Sequence, residues 1–501
     1  MPTARAQQRA AGRGTRAGRV PAWRCTVGGR GARSRGLPLA LLGLGLALGC
    51  AVGPDYQAPE PELPDAWHLE LTRGLEAGEA DLRTWWTALD DPVLNALIGR
   101  AGQGNLDLRV SLARVMEARA VRGVARGEWF PSADAGGSYL ERKATENRAE
   151  LLNPGGSRKF ETYDLGVDAS WEIDVFGRIR RSTESADASL MASVEDYRDV
   201  LVVLYADVAR RYVELRALQE RLQYSLANAE TQRETLQLTM DRNRAGLAAD
   251  LDVRQAELNL ATTEAFIPSL QIGLTLAINR LGVLLGQHPT ALRAELETPT
   301  PIPSPPSEIL VGLPTELLRQ RPDLRSAERQ LAAQTAQIGV AKADLYPRLA
   351  LLGTFAFDAL DAAKLFTGDA SAFSFGPAVR WNLFDGGRIR SNVKAQESLT
   401  EQALLGYEQT VLLALEEVED AFVAYVQENE RRDMLQRSVT AADAAVKLVN
   451  TLYRTGLTDF QNVLDTERSL FQQQDQLAQS EVEVTQNLIQ IYRALGGGWS
   501  P

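Results

Sequence analysis

Histidine and cysteine are nearly absent from this chain of 501 residues, and their scarcity excludes several kinds of site. The two histidines, His68 and His288, lie 220 positions apart and so do not predict a metal site. The two cysteines, Cys25 and Cys50, fall in the first tenth of the chain, which excludes a disulfide framework in the body. The sequence also lacks a nucleophile elbow, a phosphate loop and a cluster of metal ligands, so we expect neither an enzyme nor a bound cofactor.

Basic residues are scarce outside the N-terminus. The first 49 residues contain nine arginines and no acidic residue, whereas the remainder has 45 basic and 65 acidic side chains. A body this acidic is not expected to bind nucleic acid, because the phosphate backbone would repel it.

The N-terminal region predicts export and a lipid anchor. Residues 37–49 form an apolar run of 13, too short to span a bilayer but suited to a signal-peptide core, so we interpret residues 1–49 as a signal peptide with a long basic leader. The run ends in Ala-Leu-Gly-Cys, which resembles a bacterial lipoprotein box and predicts a covalent lipid on Cys50; the alternative is an ordinary secretory signal. Residues 50–91, which are rich in proline, are predicted to be an extended tether from this anchor.

Alternating apolar and polar residues predict strands long enough to cross a membrane. The clearest run, residues 163–175, has one wholly apolar face and one mostly acidic face. Residues 131–140 are predicted to be its partner, across a loop at about 141–159. Residues 349–357 and 373–383 alternate in the same way and predict a second pair.

Each strand pair ends in one shared pattern, a tryptophan followed by Gly-Arg-Ile-Arg, and the two copies lie 210 residues apart. In each copy a strand pattern changes to a long helical pattern. Glycine permits the turn, and the basic residues stand where chain leaving an apolar layer would meet water. The predicted crossing residues are Trp171, Gly177, Arg178, Trp381, Gly387 and Arg388.

Helical patterns fill most of the remaining chain. The pattern after Gly177 continues to about Asn243, roughly 95 Å of helix, which is too long for a compact domain. A single helix is predicted from residue 92 to about residue 129, and a kink at Pro268. The same plan recurs, so residues 92–296 and 313–497 are predicted to be tandem repeats joined by a proline-rich linker, residues 297–312.

These elements predict a mixed α+β membrane protein made mostly of long helices. Four strands per chain cannot close a barrel, and open sheet edges cannot lie in lipid. Three copies would supply twelve strands to one closed β-barrel, with the long helices forming a second tube.

Several motifs resemble the outer-membrane efflux lipoproteins of the NodT/OprM group, which are relatives of TolC. They include Arg-Pro-Asp-Leu at 321–324, Ala-Lys-Ala-Asp-Leu-Tyr-Pro at 341–347, and the Arg-x-Gly-Leu turns at 244–247 and 454–457. The resemblance implies a homotrimeric conduit for small molecules in the outer membrane, which extends into the periplasm. It also implies docking to a periplasmic adaptor protein and to an inner-membrane pump of the resistance-nodulation-division type.

The resemblance places the candidate sites near the two glycine turns. It implies a periplasmic gate there, with Tyr453 as a gating tyrosine, Asp465 as an aspartate ring and Asn462 where relatives can carry a second aspartate. Val463 and Leu464 are candidates for an apolar constriction beside these residues. The candidates for adaptor contact are Arg244, Gly246, Leu247, Arg454, Gly456 and Leu457.

Two other functions stay open at this point. One is the outer channel of a type I protein secretion system, against which the lipoprotein box and the tether argue. The other is a lipid-anchored periplasmic coiled-coil scaffold without a pore. The scaffold would explain the long helices, but it needs no strands with one apolar and one polar face.

Overall fold

A computed structural model describes residues 51–78, 81–143 and 159–500. The predicted signal peptide and Cys50 lie outside the described residues, as does most of the loop predicted at 141–159.

The helix predicted from residue 92 is two helices, α1 (Pro92–Gly104) and α2 (Leu106–Gly127), so the prediction of one helix was wrong. Asn105 breaks the helix with ψ 132°, and its side-chain amide donates to the Leu284 carbonyl at 2.8 Å. A β-carbon at Gly104 would meet the neighbouring carbonyl oxygen at 2.3 Å. The break therefore lets a distant helix end approach the backbone closely.

Two short strands join the predicted tether to the predicted linker. β1 (Leu75–Ala77) pairs in parallel with β4 (Ile309–Val311). Trp67 donates its indole N–H to the linker at 2.7 Å and packs edge-on against Phe422. We call β1, β4 and Trp67 together the belt. Strands of three residues show no periodicity, which is why the sequence did not reveal them.

The four predicted long strands form one antiparallel sheet. They are β2 (Ser132–Lys143), β3 (Lys159–Ile173), β5 (Arg348–Ala359) and β6 (Ser371–Arg380), in the order β2-β3-β5-β6. The pairs predicted within each half of the chain are therefore confirmed, and β3 and β5 join the two halves. β3 and β6 end before residues 175 and 383, so the last predicted alternating residues lie beyond the strands.

Helices make up most of the body. Their bounds are α3 (Arg178–Arg244), α4 (Asp250–Leu284), α5 (Arg293–Leu296), α6 (Leu317–Gln320), α7 (Pro322–Ala343), α8 (Arg388–Thr455) and α9 (Phe460–Ala494). The helix starts predicted after Gly177 and Gly387 are confirmed, and α4 continues through Pro268. α3 packs on α2, α4 and α7, while α8 packs on α7 and α9, so the helices form one continuous assembly.

The main core lies where α1, α3 and α9 meet the tether. Trp85 stacks on Tyr492 with ring centres 5.2 Å apart, and Trp86 packs edge-on against Tyr205 at 4.9 Å. The Tyr212 hydroxyl donates to an oxygen of Asp91 at 2.6 Å. Aromatic groups from the tether thus anchor it to the middle of the long helices, because large rings bury much apolar area.

One carboxyl in this part of the molecule makes stability depend on pH. Burial in α3, together with the nearby charge of Asp323, raises the pKa of Asp199 to about 6. Arg321 and Arg493 lower the pKa of this carboxyl and Asp196 raises it, so the acidic neighbours and burial prevail. A carboxyl with a raised folded-state pKa costs stability above that pKa, and the cost disappears as the pH falls below the unfolded pKa.

The Asp199→Asn variant is therefore expected to melt at a higher temperature than the parent protein at about pH 8, with the difference lost by about pH 4. Thermal unfolding followed by circular dichroism across this range measures it. The matched control is Asp420→Asn on α8, since Asp420 is exposed. A gain for Asp199→Asn that is independent of pH would contradict the titration of this carboxyl.

Candidate functional site

The two helix-hairpin tips share one backbone design. Gly246 has φ 74° after α3, and Gly456 has φ 79° after α8. At each tip the N–H that follows the glycine donates back to the last helical turn, at 2.8 and 2.9 Å. Glycine adopts this left-handed conformation without strain, so helix termination alone explains both glycines.

The other adaptor candidates present their side chains at these tips. Leu247 and Leu457 are among the most exposed large apolar residues of the described chain. Arg244 pairs with Asp241 of its own helix at 2.6 Å, and Arg454 is exposed at the second tip. The paired tips thus offer apolar and basic side chains to solvent, and their contact with an adaptor stays a prediction.

Arg242, which the sequence analysis did not single out, joins the two tips. Its guanidinium carbon lies 4.6 Å from the ring centre of Tyr453, and its Nη1 donates to the Tyr453 carbonyl at 2.7 Å. Tyr453 is buried, and its hydroxyl donates to Thr239 Oγ1 at 3.4 Å. The counterpart of Arg242 in the predicted repeat is Leu452, so the repeat carried no signal. The one available signal was a basic residue in a last helical turn, which suits a neighbouring helix C-terminus.

Val463 and Leu464 differ from the expectation of an apolar constriction. They are 0% and 2% exposed and pack with Tyr453 and Phe460 in a small core between the hairpins. A side chain that narrows a pore must face it. This burial corrects the expectation, because it gives both residues a role in holding α8 and α9 together.

Asp465 and Asn462 lie on the exposed surface of the first turns of α9. An oxygen of Asp465 accepts a hydrogen bond from Gln461 Nε2 at 3.0 Å. The Asn462 amide donates to Thr458 Oγ1 at 3.0 Å and to Asp459 Oδ1 at 2.8 Å. The Asp465 carboxylate is therefore available to other copies, and the aspartate ring stays a prediction.

A buried carboxyl lies deeper in the same hairpin. Glu467 accepts a hydrogen bond from Thr235 Oγ1 at 2.8 Å, which joins α9 to α3. Burial raises the pKa of Glu467, and the hydrogen bond from Thr235 partly opposes this. The tip therefore contains one exposed and one buried acidic group on the same helix.

At the first crossing the arginine is fully paired. Gly177 turns the chain with φ 82°, and Arg178 donates to Glu172 and Glu128, each at 2.9 Å. The Trp171 indole donates at 2.9 Å to the carbonyl of Trp129, in the turn just before β2. Tryptophan on the apolar face at this level is typical of a membrane–water boundary.

The second crossing has the same backbone but a different charge. Gly387 has φ 87°, and the Trp381 indole donates to the equivalent carbonyl at 3.1 Å. Arg388 lines an open pocket of about 770 Å³ together with Arg348 and Arg380. All six predicted crossing residues thus lie at changes from strand to helix, which supports their structural role.

Aspartates that cap the two long helices were missed. Asp174 accepts hydrogen bonds from the N–H groups of Ile179 and Arg180, at 3.2 and 2.8 Å. Asp385 accepts from the N–H groups of Gly387 and Ile389, at 2.9 and 2.7 Å. Aspartate before a helix is a known capping signal, but it was not used because the glycine pattern dominated both segments.

Comparison with known proteins identifies what the chain is similar to. A sequence model described as "Outer membrane efflux protein" matches residues 97–287 and 313–497. Nodulation protein T of Rhizobium leguminosarum bv. trifolii is 32% identical over 458 residues, covering 91% of this chain and 96% of that protein. The solvent efflux pump outer membrane protein SrpC of Pseudomonas putida is 32% identical over 481 residues, covering 93% and 98%. The solved structure of the outer-membrane channel OprN is 40% identical with a TM-score of 0.83, covering 90% of this chain and 100% of that one.

Proposed function

Because this chain belongs to the outer membrane efflux protein family, we propose that three copies of it close a twelve-stranded β-barrel above a helical tube. The chain is an outer-membrane channel of an efflux pump and extends into the periplasm. Its family is one of transport channels. A trimer would turn each protomer's part-barrel into a passive conduit, with no bound cofactor needed.

The observation that carries the trimer is the pair of open edges on the four-stranded sheet, at β2 and β6. Val167, Phe355 and Phe373 lie side by side across three strands, and all three are exposed within the protomer. The opposite face carries polar groups such as Asp168, which accepts a hydrogen bond from Thr354 at 2.7 Å. An apolar outer face and a polar inner face suit a water-filled barrel in lipid. Unpaired strand edges cannot lie in lipid, because their backbone N–H and C=O groups would have no hydrogen-bond partner. Each edge therefore needs a strand of another copy.

The start of the described chain supports a lipid on Cys50. Ala51, the next residue, lies against the first crossing, where a β-carbon at Gly177 would meet its side chain at 2.6 Å. Buried Arg181 holds the same segment by donating to Asp55 at 2.6 Å. A lipid attached one residue earlier would leave the protein where the strands end, which is the level of the membrane's periplasmic leaflet.

Replacing Gly177 by alanine is expected to release this N-terminal segment, whereas the same change at Gly387 is not. Both glycines have φ above +80°, so either alanine adds about 1 kcal/mol of backbone strain. A β-carbon at Gly387 meets no atom within 4 Å, in contrast to the contact with Ala51 at Gly177. Limited proteolysis of residues 51–78 measures release. Equal cleavage of the two variants would show that this contact does not hold the segment.

The gate is proposed at the hairpin tips. Three copies of Asp465 around an axis would repel one another and favour cations, so closure would respond to pH and to divalent ions. Tyr453 and Arg242 join the tips within each copy, so opening must break or bend this contact. The exposed residues of the tips, Arg244, Leu247, Arg454 and Leu457, are proposed to contact a periplasmic adaptor. An inner-membrane pump of the resistance-nodulation-division type would supply the energy.

Small apolar or amphipathic toxic compounds are the proposed cargo. Relatives of similar length are named for the efflux of solvents, toluene and antibiotics. A passive conduit needs no specific binding pocket, so the choice of compound would rest with the pump.

The deciding measurement is the mass of the mature protein, extracted in detergent, by light scattering, with single-particle imaging of the same sample. Three chains in a hollow tube well over 100 Å long are expected from the helix lengths plus a barrel. A monomer or a solid rod would leave β2 and β6 unpaired and would favour a scaffold without a pore.

A further inference from the structure

We infer that β6 of one copy pairs with β2 of the next in the register that β3 and β5 adopt within the chain, which seats the partner subunit's Asp134 beside Arg380. The inference rests on the proposed trimer and adds to it the register of the joint and a specific ionic contact.

The two strand hairpins correspond residue by residue. β5 begins and ends 216 residues after β2, the offset that the sequence shows before the strands. Ser132 lies opposite Ser170 in the first hairpin, and Arg348 lies opposite Arg380 in the second. These pairs are related by the offsets of 216 and 210 residues found in the sequence. The hairpins therefore share one internal register.

The joint between the hairpins supplies the register between copies. Within the chain, β3 and β5 place Ala169 opposite Gly353 and Glu172 opposite Ala350. Ala169 and Gly353 correspond to Val379 and Gly137, so Val379 would lie opposite the partner subunit's Gly137. In the same way Glu172 and Ala350 correspond to Asn382 and Asp134, so Asn382 would lie opposite the partner subunit's Asp134. Val379 and Gly137 both belong to the apolar face, and Arg380 and Asp134 both belong to the polar face. A shift by one residue would exchange the faces, so the alternation agrees with the inferred register.

Charge gives an independent reason for the same joint. At the first crossing Arg178 forms ion pairs with two carboxylates, Glu128 and Glu172. At the second crossing the counterpart of Glu172 is Asn382, which carries no charge. Asp344, the carboxylate in the pocket, is engaged by Arg348 at 2.5 Å. Among the described residues, neither Arg380 nor Arg388 forms an ion pair; Asp385, the carboxylate close to Arg388, accepts hydrogen bonds from the backbone at the start of α8 instead.

Asp134, on the open β2 edge, lies in a region with an excess of negative charge. It lies directly opposite Asp168, and like charges facing each other across a strand pair are unfavourable. The inferred register places Arg380 diagonally across from the partner subunit's Asp134, within reach of a long side chain. One contact between copies would therefore offset both the excess of arginine and the pair of aspartates.

In the helix layer, one face of α2 also lacks a neighbour within the described part of the protomer. α7 packs between α3 and α8, whereas its counterpart α2 packs on α3. Val110 and Met116 of α2 are 52% and 56% exposed, while their counterparts Ser326 and Ala332 of α7 are 3% and 7% exposed. α8 of a neighbouring copy would cover α2 as α3 covers α7. The strand layer and the helix layer thus require the same neighbour.

Disulfide trapping tests the register in the full-length channel, whose body has no cysteine of its own after Cys50. In Val379→Cys/Gly137→Cys, the two β-carbons are expected about 5 Å apart, which a disulfide can bridge. We expect linked dimers and trimers on a non-reducing gel. The controls are the single variants and the two-residue shifts Val379→Cys/Ala135→Cys and Val379→Cys/Tyr139→Cys. Faster linkage in a shifted pair, with the trimer mass intact, would overturn the register; a monomer by light scattering would overturn the trimer itself.

A charge exchange tests the ionic contact. Arg380→Asp and Asp134→Arg are each expected to lower the temperature at which the detergent-resistant trimer dissociates, and the double variant is expected to recover most of the loss. Arg390→Asp, an exposed arginine near the same crossing, is the control for a change of charge. A double variant no better than the sum of the two single changes would refute the contact.

Discussion

The Arg242→Ala variant is expected to shift the balance between closed and open tips about tenfold or more in each protomer, and so to raise the conductance of the channel in a planar bilayer. Arg242 makes a charged hydrogen bond to the Tyr453 carbonyl and stacks on the Tyr453 ring. A hydrogen bond to a charged group contributes about 1.5 to 3 kcal/mol, and 1.4 kcal/mol is a factor of ten. Both contacts join α3 to α8, so their loss favours separation of the tips.

The matched control is Arg244→Ala, two residues further along. This arginine is exposed and pairs within its own helix with Asp241, and such a pair contributes little. Both variants remove one positive charge from one tip, so the comparison separates the contact with Tyr453 from the change in charge. Equal conductance of the Arg242→Ala and Arg244→Ala channels would show that the contact between Arg242 and Tyr453 does not hold the tips closed.

Arg321→Ala is expected to destabilise each protomer by about 1.5 to 3 kcal/mol, because it removes the hydrogen bonds that a buried guanidinium donates to two partly exposed carboxylates. The Arg321 guanidinium donates to Asp323 at 3.0 and 2.6 Å, to Glu417 on α8 at 2.8 Å, and to the Ala494 carbonyl at 2.9 Å. One buried side chain thus joins the start of α7 and the end of α9 to the middle of α8. It explains in physical terms why Arg-Pro-Asp-Leu at 321–324 forms a unit.

Thermal unfolding in detergent measures this loss, with Arg319→Ala as the control. Arg319 lies two residues earlier and is exposed. Arg321→Lys keeps the charge but loses the planar fork, so it is expected to fall between the parent protein and the alanine variant. Equal melting temperatures for Arg319→Ala and Arg321→Ala would show that the contacts of Arg321 do not hold the helices together.

The elements that the sequence predicts well are those with many periods. α3 and α8 repeat their apolar spacing over more than sixty residues, so their starts and ends were found to within two residues. The long strands span ten residues or more, and their pairing within each half is confirmed. The break at Asn105 was missed because it depends on the carbonyl of Leu284, which is distant in sequence. No local pattern records such a contact.

The same reasoning separates the sites that were found from those that were not. Gly246, Gly456, Gly177 and Gly387 were found because a turn of the chain demands glycine, whatever surrounds it. Arg242 was not found, since its partner Tyr453 lies 211 positions away. Val463 was assigned to a pore wall from its position near the turn, but burial depends on the packing of three helices. Side-chain direction at a hairpin tip is a tertiary property.

The belt has a mechanical consequence for the channel. It contacts α8 near Phe422, where Trp67 packs, and Arg73 just before β1 forms an ion pair at 2.8 Å with Asp433, eleven residues further along α8. From Phe422 to Tyr453 the helix α8 is about 46 Å long. The part of α8 beyond the belt can therefore pivot there, and a small rotation produces a larger displacement at the tip. A tilt of about 5° there would carry the tip through about 4 Å, more than the length of a hydrogen bond. Small rotations at the middle of the helices are thus sufficient to separate the tips without any helix unfolding.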